Sequence, residues 1–266
     1  MENIEMIEKV QLRFLKLLLG VKATTPSCMI YGELGIYPLL VDVKIRLLTF
    51  WFKLVKDYLQ GSNKISNLMF RLGMQIEENN QPTQAWLKFV KITLENLGLG
   101  YIWNDPLLDL TITKFKSIIT ERITDQYKQN WKEEIDRNNI CISYRLFKTE
   151  FGFESYLANL LPSLRRNYLK FRLSAHRLPI QQLRYIDIPR HERLCTVCDL
   201  EEVGDEFHYI FNCNNQDISQ NRKELLPKYY QKHSNVIKMH QLFNTKSKRK
   251  LINLCKYITV ILNVAC

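Results

Sequence analysis

The sequence predicts a mostly α protein, a multi-helix, bundle-like array. Glycine (9) and proline (8) are scarce in 266 residues, which disfavours β-sandwiches and disorder. Apolar residues recur at three- and four-residue steps through most of the chain, the period of a helix with one buried face. Apolar residues make up 46% and charged residues 24%, a balance ordinary for a globular chain with a real core.

In the first helix, Asn3 to Val21, Ile7, Val10, Phe14, Leu17 and Leu18 form the apolar positions. Thr25-Pro26 is an N-cap and first-turn pair for a short helix that Gly32 and Gly35 end. Pro38 opens a longer one through Trp51 to about Tyr58, stopped by Gly61. Another runs from about Ser62 to Glu77, and one follows Pro82 and ends near Gly98 and Gly100. The longest spans about Thr111 to Arg137. Its stripe of Phe115, Ile119, Ile123, Tyr127, Trp131 and Ile135, each four apart, drifts by about 40° per step, so its partners must wrap around it. NDP at 104–106 and RNN at 137–139 punctuate its ends, and RNN marks a boundary between two helical halves. Helices resume from about Tyr144 to Arg177, an irregular LPIQQLRYIDIPRHERL follows, and the tail from Ser219 is helical and basic.

The stretch Leu194–Cys213 holds Cys195-x2-Cys198-x9-His208-x4-Cys213, four of the chain's twelve cysteines and histidines within nineteen residues. Two intervening residues let a cysteine pair face one point, and three thiolates with an imidazole suit a tetrahedral, structural Zn²⁺ with no open position for catalysis. These residues predict a small zinc knuckle. Gly204-Asp205 supplies a turn and an N-cap for one or two helical turns. His208 and Cys213 lie five apart, about 140° around an α-helix, so that helix should end near Asn212, with Asn214 and Asn215 turning the chain back. His191 is a possible competitor for His208. Cys28, Cys141, Cys255 and Cys266 have no partners at ligand spacing and read as core or incidental.

The formal net charge is +11, which suggests a polyanionic partner. Between Leu161 and Leu194 eight Arg or Lys face two acids. On a helix, Leu164, Tyr168, Phe171 and Ala175 would be buried. Arg165, Arg172 and His176 would line up beside them, and Arg166, Lys170 and Arg177 would form the next row. Arg165, Arg166, Lys170, Arg172 and Arg177 are the candidate phosphate contacts; Tyr168 and Tyr185 could stack on bases where exposed. Lys246, Lys248, Arg249 and Lys250 add a second basic run. A solvated basic face is the bland alternative.

MENIEMIEKV is acid-rich where a secretory signal is basic and apolar. LINLCKYITVILNVAC carries Lys256 and falls short of the about 20 apolar residues of a span, so it reads as a core helix. The expectation is an intracellular protein, nuclear or cytoplasmic, not secreted and without a membrane partner.

KFRLSAHRLPIQQLRYIDIPRHERLCTVC, followed by GDEFHYIFNC, resembles the zinc-binding segment near the C-terminus of reverse transcriptases from non-LTR (LINE-type) retrotransposons. LKLLLGVKATTPSCMIYGELGIYPL, near the start, resembles the segment after their polymerase core. The resemblance implies a non-polymerase piece that binds template RNA or target DNA, with Cys195, Cys198, His208 and Cys213 as zinc ligands. The resemblance frames about Ile7 to Cys213, and the chain is expected to divide into a helical region resembling the segment after the polymerase core (1–138), a basic helical region and connector (139–193), the CCHC knuckle (194–215) and a basic helical tail (216–266). The chain departs from the family in having no Asp-Asp pair, which polymerase metals require, and no recognisable endonuclease set. Asn214-Asn215 also stands where the family often has Pro and an aromatic. The expectation is a severed, decayed or host-reused tail that is not an enzyme. The rival expectation is a protein-interaction module that docks the polymerase domain of a related element or another protein.

Overall fold

The structure is a computed structural model and describes residues 2–62, 64–78, 85–105 and 109–266. In chain order the helices are α1 (Glu2–Leu19), α2 (Ser27–Leu34), α3 (Leu39–Leu59), α4 (Ile65–Glu78), α5 (Ala85–Asn96), α6 (Tyr101–Asn104), α7 (Ile112–Arg137), α8 (Tyr144–Phe147), α9 (Tyr156–Asn159), α10 (Pro162–Arg172), α11 (Pro179–Gln182), α12 (Gln216–Leu225), α13 (Lys228–Gln231), α14 (Val236–Phe243) and α15 (Lys248–Ala265). The protein is mostly α, as its residue spacing predicts. Among the described residues no strand forms, and extended pairing is confined to the isolated bridges Leu34–Phe153 and Leu194–Val203. No described helix is long and apolar enough to cross a membrane.

The chain forms two compact units, residues 37–130 and residues 1–36 with 131–266. The 37–130 unit has an apolar core. Trp51 stacks on Trp103 with centroids 5.5 Å apart, and Phe52 on Phe115 at 4.1 Å. Leu48, Leu87, Val90, Leu94 and Ile119 bury around them. Pro38 sits at the start of α3, and α5 stops before Gly98, whose φ of 70° suits glycine. Pro82, expected to open α5, and Pro106 lie outside the described residues. The drifting stripe of α7 serves two cores. Phe115, Ile119 and Ile123 bury in the 37–130 unit, while Trp131 and Ile135 bury in the other.

The discontinuous unit adds buried polar groups to an apolar core in which Phe147 stacks on Phe243 at 4.6 Å. Glu33 of α2, fully buried, accepts from Arg172 Nε at 2.6 Å, Tyr156 OH at 2.7 Å and Tyr144 OH at 2.9 Å. Arg172 Nη2 lies 3.3 Å from Glu154 Oε2, near enough to attract but misaligned for a hydrogen bond. The guanidinium also lies over the Phe147 ring at 4.8 Å. A second buried carboxylate, Glu206, accepts from Ser143 Oγ at 2.6 Å and Ser174 Oγ at 3.2 Å, and lies 2.8 Å from His176 Nε2. Burial pushes the Glu206 carboxyl up, but His176 and Ser143 outweigh it and hold it down at about 2.

Three sequence expectations are corrected, and the direction of the α1 stripe, core or bare interface, is decided. Gly32 does not end α2: it lies inside, where an added Cβ would come within 2.7 Å of the Trp131 ring. Gly35 alone ends it, at φ 61°. The cap position of α2 falls on Pro26, and no side chain caps it. The α1 stripe at Ile7, Val10, Phe14, Leu17 and Leu18 faces outward, each residue at least 60% exposed, while Leu15 and Leu19 bury. Finally, α10 ends at Arg172 because Ser174 turns back with φ 50°. His176 and Arg177 therefore leave the helical rows assigned to them. LINLCKYITVILNVAC forms most of α15, a core helix burying Leu251, Leu254, Cys255, Tyr257, Ile258 and Ile261.

Candidate metal centre and the basic face beside it

The Cys/His cluster is built from a tight reversal and a widened helical turn. Cys195 N–H donates to Glu202 O, and Gly204 N–H to Arg193 O, both at 2.8 Å, so residues 193–204 double back. A Cβ on Gly204 would meet Cys195 Cα at 3.0 Å, so glycine lets the two sides close. The backbone N–H two residues beyond each cysteine (Val197 for Cys195, Leu200 for Cys198, Asn215 for Cys213) pulls that thiol's proton affinity down. Such N–H groups stabilise sulfur that carries negative charge, as a metal-bound thiolate does.

Asp205 caps the following turn by accepting from His208 N–H at 3.0 Å. The turn ends at Asn212, as its spacing predicts, but it is a π-turn over His208–Asn212. Cys213 N–H reaches back five residues to His208 O at 2.9 Å. The wider turn brings together two residues that an α-helix would hold about 140° apart. Asn215 then caps α12, accepting from Asp217 and Ile218 N–H at 3.1 and 3.3 Å. Carbonyls loosened by the π-turn find new partners. Arg222 donates to Ile210 O at 3.0 Å and Cys213 O at 2.7 Å, and the Tyr257 hydroxyl lies 3.0 and 3.1 Å from the Tyr209 and Ile210 carbonyls.

The four candidate ligand atoms, the Cys195, Cys198 and Cys213 sulfurs and a His208 ring nitrogen, all lie within 4.8 Å of one another. A tetrahedron with metal–sulfur bonds of about 2.3 Å has edges of about 3.8 Å, so small side-chain rotations suffice to close it. Cys198 Sγ is already 3.3 Å from His208 Nε2. His208 Nδ1 donates to Glu202 Oε2 at 2.8 Å, which turns Nε2 toward the sulfurs. His191 is exposed and paired with Glu192 at 3.3 Å, outside the cluster.

The cluster's electrostatics favour a cation. A hydrogen bond from Cys213 holds the Cys195 thiol down at about 3, and the same contact pushes the Cys213 thiol up. Burial pushes Cys198 up. Burial also opposes a charged His208, but the Cys195 sulfur and Glu202 outweigh it and raise its affinity for a proton. A divalent ion bound by the four would take the place of those protons. Of the other cysteines, Cys28, Cys141 and Cys255 are buried and Cys266 is exposed.

The basic residues divide. Arg166 and Arg177 are exposed, and Lys170 and Arg165 half-buried. Arg165 donates to the Leu157 carbonyl. Among the described residues no carboxylate pairs with any of these four. Arg172, placed with them as a phosphate contact, belongs instead to the core. Its side chain has no exposure and its charge is held by Glu33. Tyr168 is buried, donating to the Phe243 carbonyl at 3.2 Å, whereas Tyr185 is 54% exposed. Sequence reasoning missed Glu202, which orients His208, and Arg222, which steadies the π-turn. Neither stands at a ligand spacing that would mark it.

No family model matches the chain, and neither the curated proteins nor the solved structures compared with it include a match.

Proposed function

We propose that the chain is a non-catalytic nucleic-acid-binding fragment of a non-LTR retrotransposon reverse transcriptase. In this reading a structural zinc ion is held by Cys195, Cys198, His208 and Cys213. Three thiolates and one imidazole suit zinc over harder cations. One observation carries the binding reading: Arg165, Arg166, Lys170 and Arg177 lie in the same unit as the cluster, and no carboxylate among the described residues pairs with them. Buried or paired arginines serve a fold, whereas a run of unpaired cations suits phosphates. Binding is expected to be salt-sensitive and poorly selective for sequence. In filter binding, four phosphate contacts give a log–log salt slope of about −3. A flat response, or no retention at low salt, sinks the reading.

The bare face of α1 favours a second reading. Ile7, Val10, Phe14 and Leu17 form an exposed apolar stripe, the kind of surface a protein partner covers. If the chain docks the polymerase domain of a related element, mixing the two gives a tight complex whose affinity RNA leaves unchanged.

A further inference from the structure

A recess of about 490 Å³ opens beside α10. Its lining includes Lys22, Lys170 and Arg177, the amides of Asn167, which also donates to Thr259 Oγ1 at 3.3 Å, and Asn263, and the last residue, Cys266, with no Asp or Glu among them. These cations come from three chain segments: the connector after α1, α10, and the turn after α10. Three positive charges around one concavity repel each other, and amides beside them can donate to an anion. Lys22 extends the feature outward. Its Nζ donates to the His176 carbonyl at 3.2 Å and stands 5.6 Å from the ring centroid of Tyr185. Tyr185 is the 54%-exposed aromatic, its hydroxyl 3.3 Å from Thr24 Oγ1, with the Arg184 guanidinium 5.1 Å from its centroid. Two cations at such distances hold an exposed ring weakly, so an incoming base can displace them while a phosphate draws them aside.

Resting on the nucleic-acid reading above, we propose that this recess seats a backbone phosphate of a single strand while the adjacent base stacks on Tyr185. The surface then prefers single strands to duplex, because duplex bases are already stacked and offer no free face. Stacking and phosphate contact require no particular sugar, so RNA and DNA strands both bind.

The test is fluorescence anisotropy on the full chain at low salt. The probes are a labelled oligouridylate and oligothymidylate of about 12 nucleotides, and a duplex of that length. The single strands should bind more tightly than the duplex. Tyr185→Ala should weaken single-strand binding about tenfold and leave duplex binding alone, whereas Tyr185→Phe keeps the ring and the affinity. Lys22→Gln should weaken single-strand binding and flatten its salt dependence. Equal, salt-sensitive binding of duplex and single strand, or Tyr185→Ala behaving as wild type, overturns this site and leaves the broader reading standing. Failure of wild-type protein to bind any probe overturns both.

Discussion

The two compact units are held together differently. The 37–130 unit buries stacked aromatics and aliphatic side chains, with Trp51, Phe52 and Phe115 at its centre. Such a core tolerates exchange between residues of similar volume. The discontinuous unit concentrates its fixed points in polar groups: Glu33 with Arg172, Glu206 with His176, and the Cys/His quartet. A buried charge is secure only while its partner is present. The 37–130 unit should therefore respond mainly to volume, and the discontinuous unit, which also has an apolar core, to single protons, ions and heteroatoms as well.

If the quartet holds a metal ion, removing that ion should separate the units most strongly. Structural zinc in small domains contributes on the order of 10 kcal/mol. A chelator should therefore expose amides in residues 193–225 to rapid hydrogen exchange while those of α3 and α5 keep their protection. Uniform loss of protection across both units would erase the distinction. Glu33→Gln comes next. It preserves shape but leaves Arg172 with no carboxylate other than the misaligned Glu154, and should cost about 3–5 kcal/mol in urea unfolding. Leu94→Met, a comparable exchange in the apolar core, should cost under about 1.5 kcal/mol. A graded effect is alkaline. Burial, reinforced by Glu33, raises Tyr144 and Tyr156 well above the ordinary tyrosine value. Both stay neutral in the fold while the unfolded chain ionises near pH 10. Their contribution is thus fully present below about pH 10 and lost above it, at about 1 kcal/mol per tyrosine by pH 11. Near-ultraviolet spectra should show the discontinuous unit melting first as pH rises.

Legibility in the sequence followed the range of the interaction. The long periodic segments at α3, α7 and α15 were readable because burial repeats locally along the chain. The metal quartet was readable for a similar reason: all four residues fall within one short stretch. The fate of Arg172 was not, because its partner Glu33 lies 139 residues away, and a basic residue on a helix looks the same whether solvent or a distant carboxylate receives it. The end of α10 was hidden in Ser174, whose positive φ no helical pattern announces. The α1 stripe was half-readable: its spacing indicated a helix with an apolar face but not whether that face meets a core or stands bare. The π-turn escaped because hydrogen-bond pattern, not composition, separates it from an α-turn.

The borrowed donors at that turn link distant parts of the chain. Arg222 on α12 and Tyr257 on α15 hold carbonyls that belong to the coordinating segment. Seating the last long helix and shaping the Cys/His quartet thus become one cooperative event. A chain cut short before α15 would be expected to hold any ion in that quartet more loosely, although all four candidate ligands would still be present.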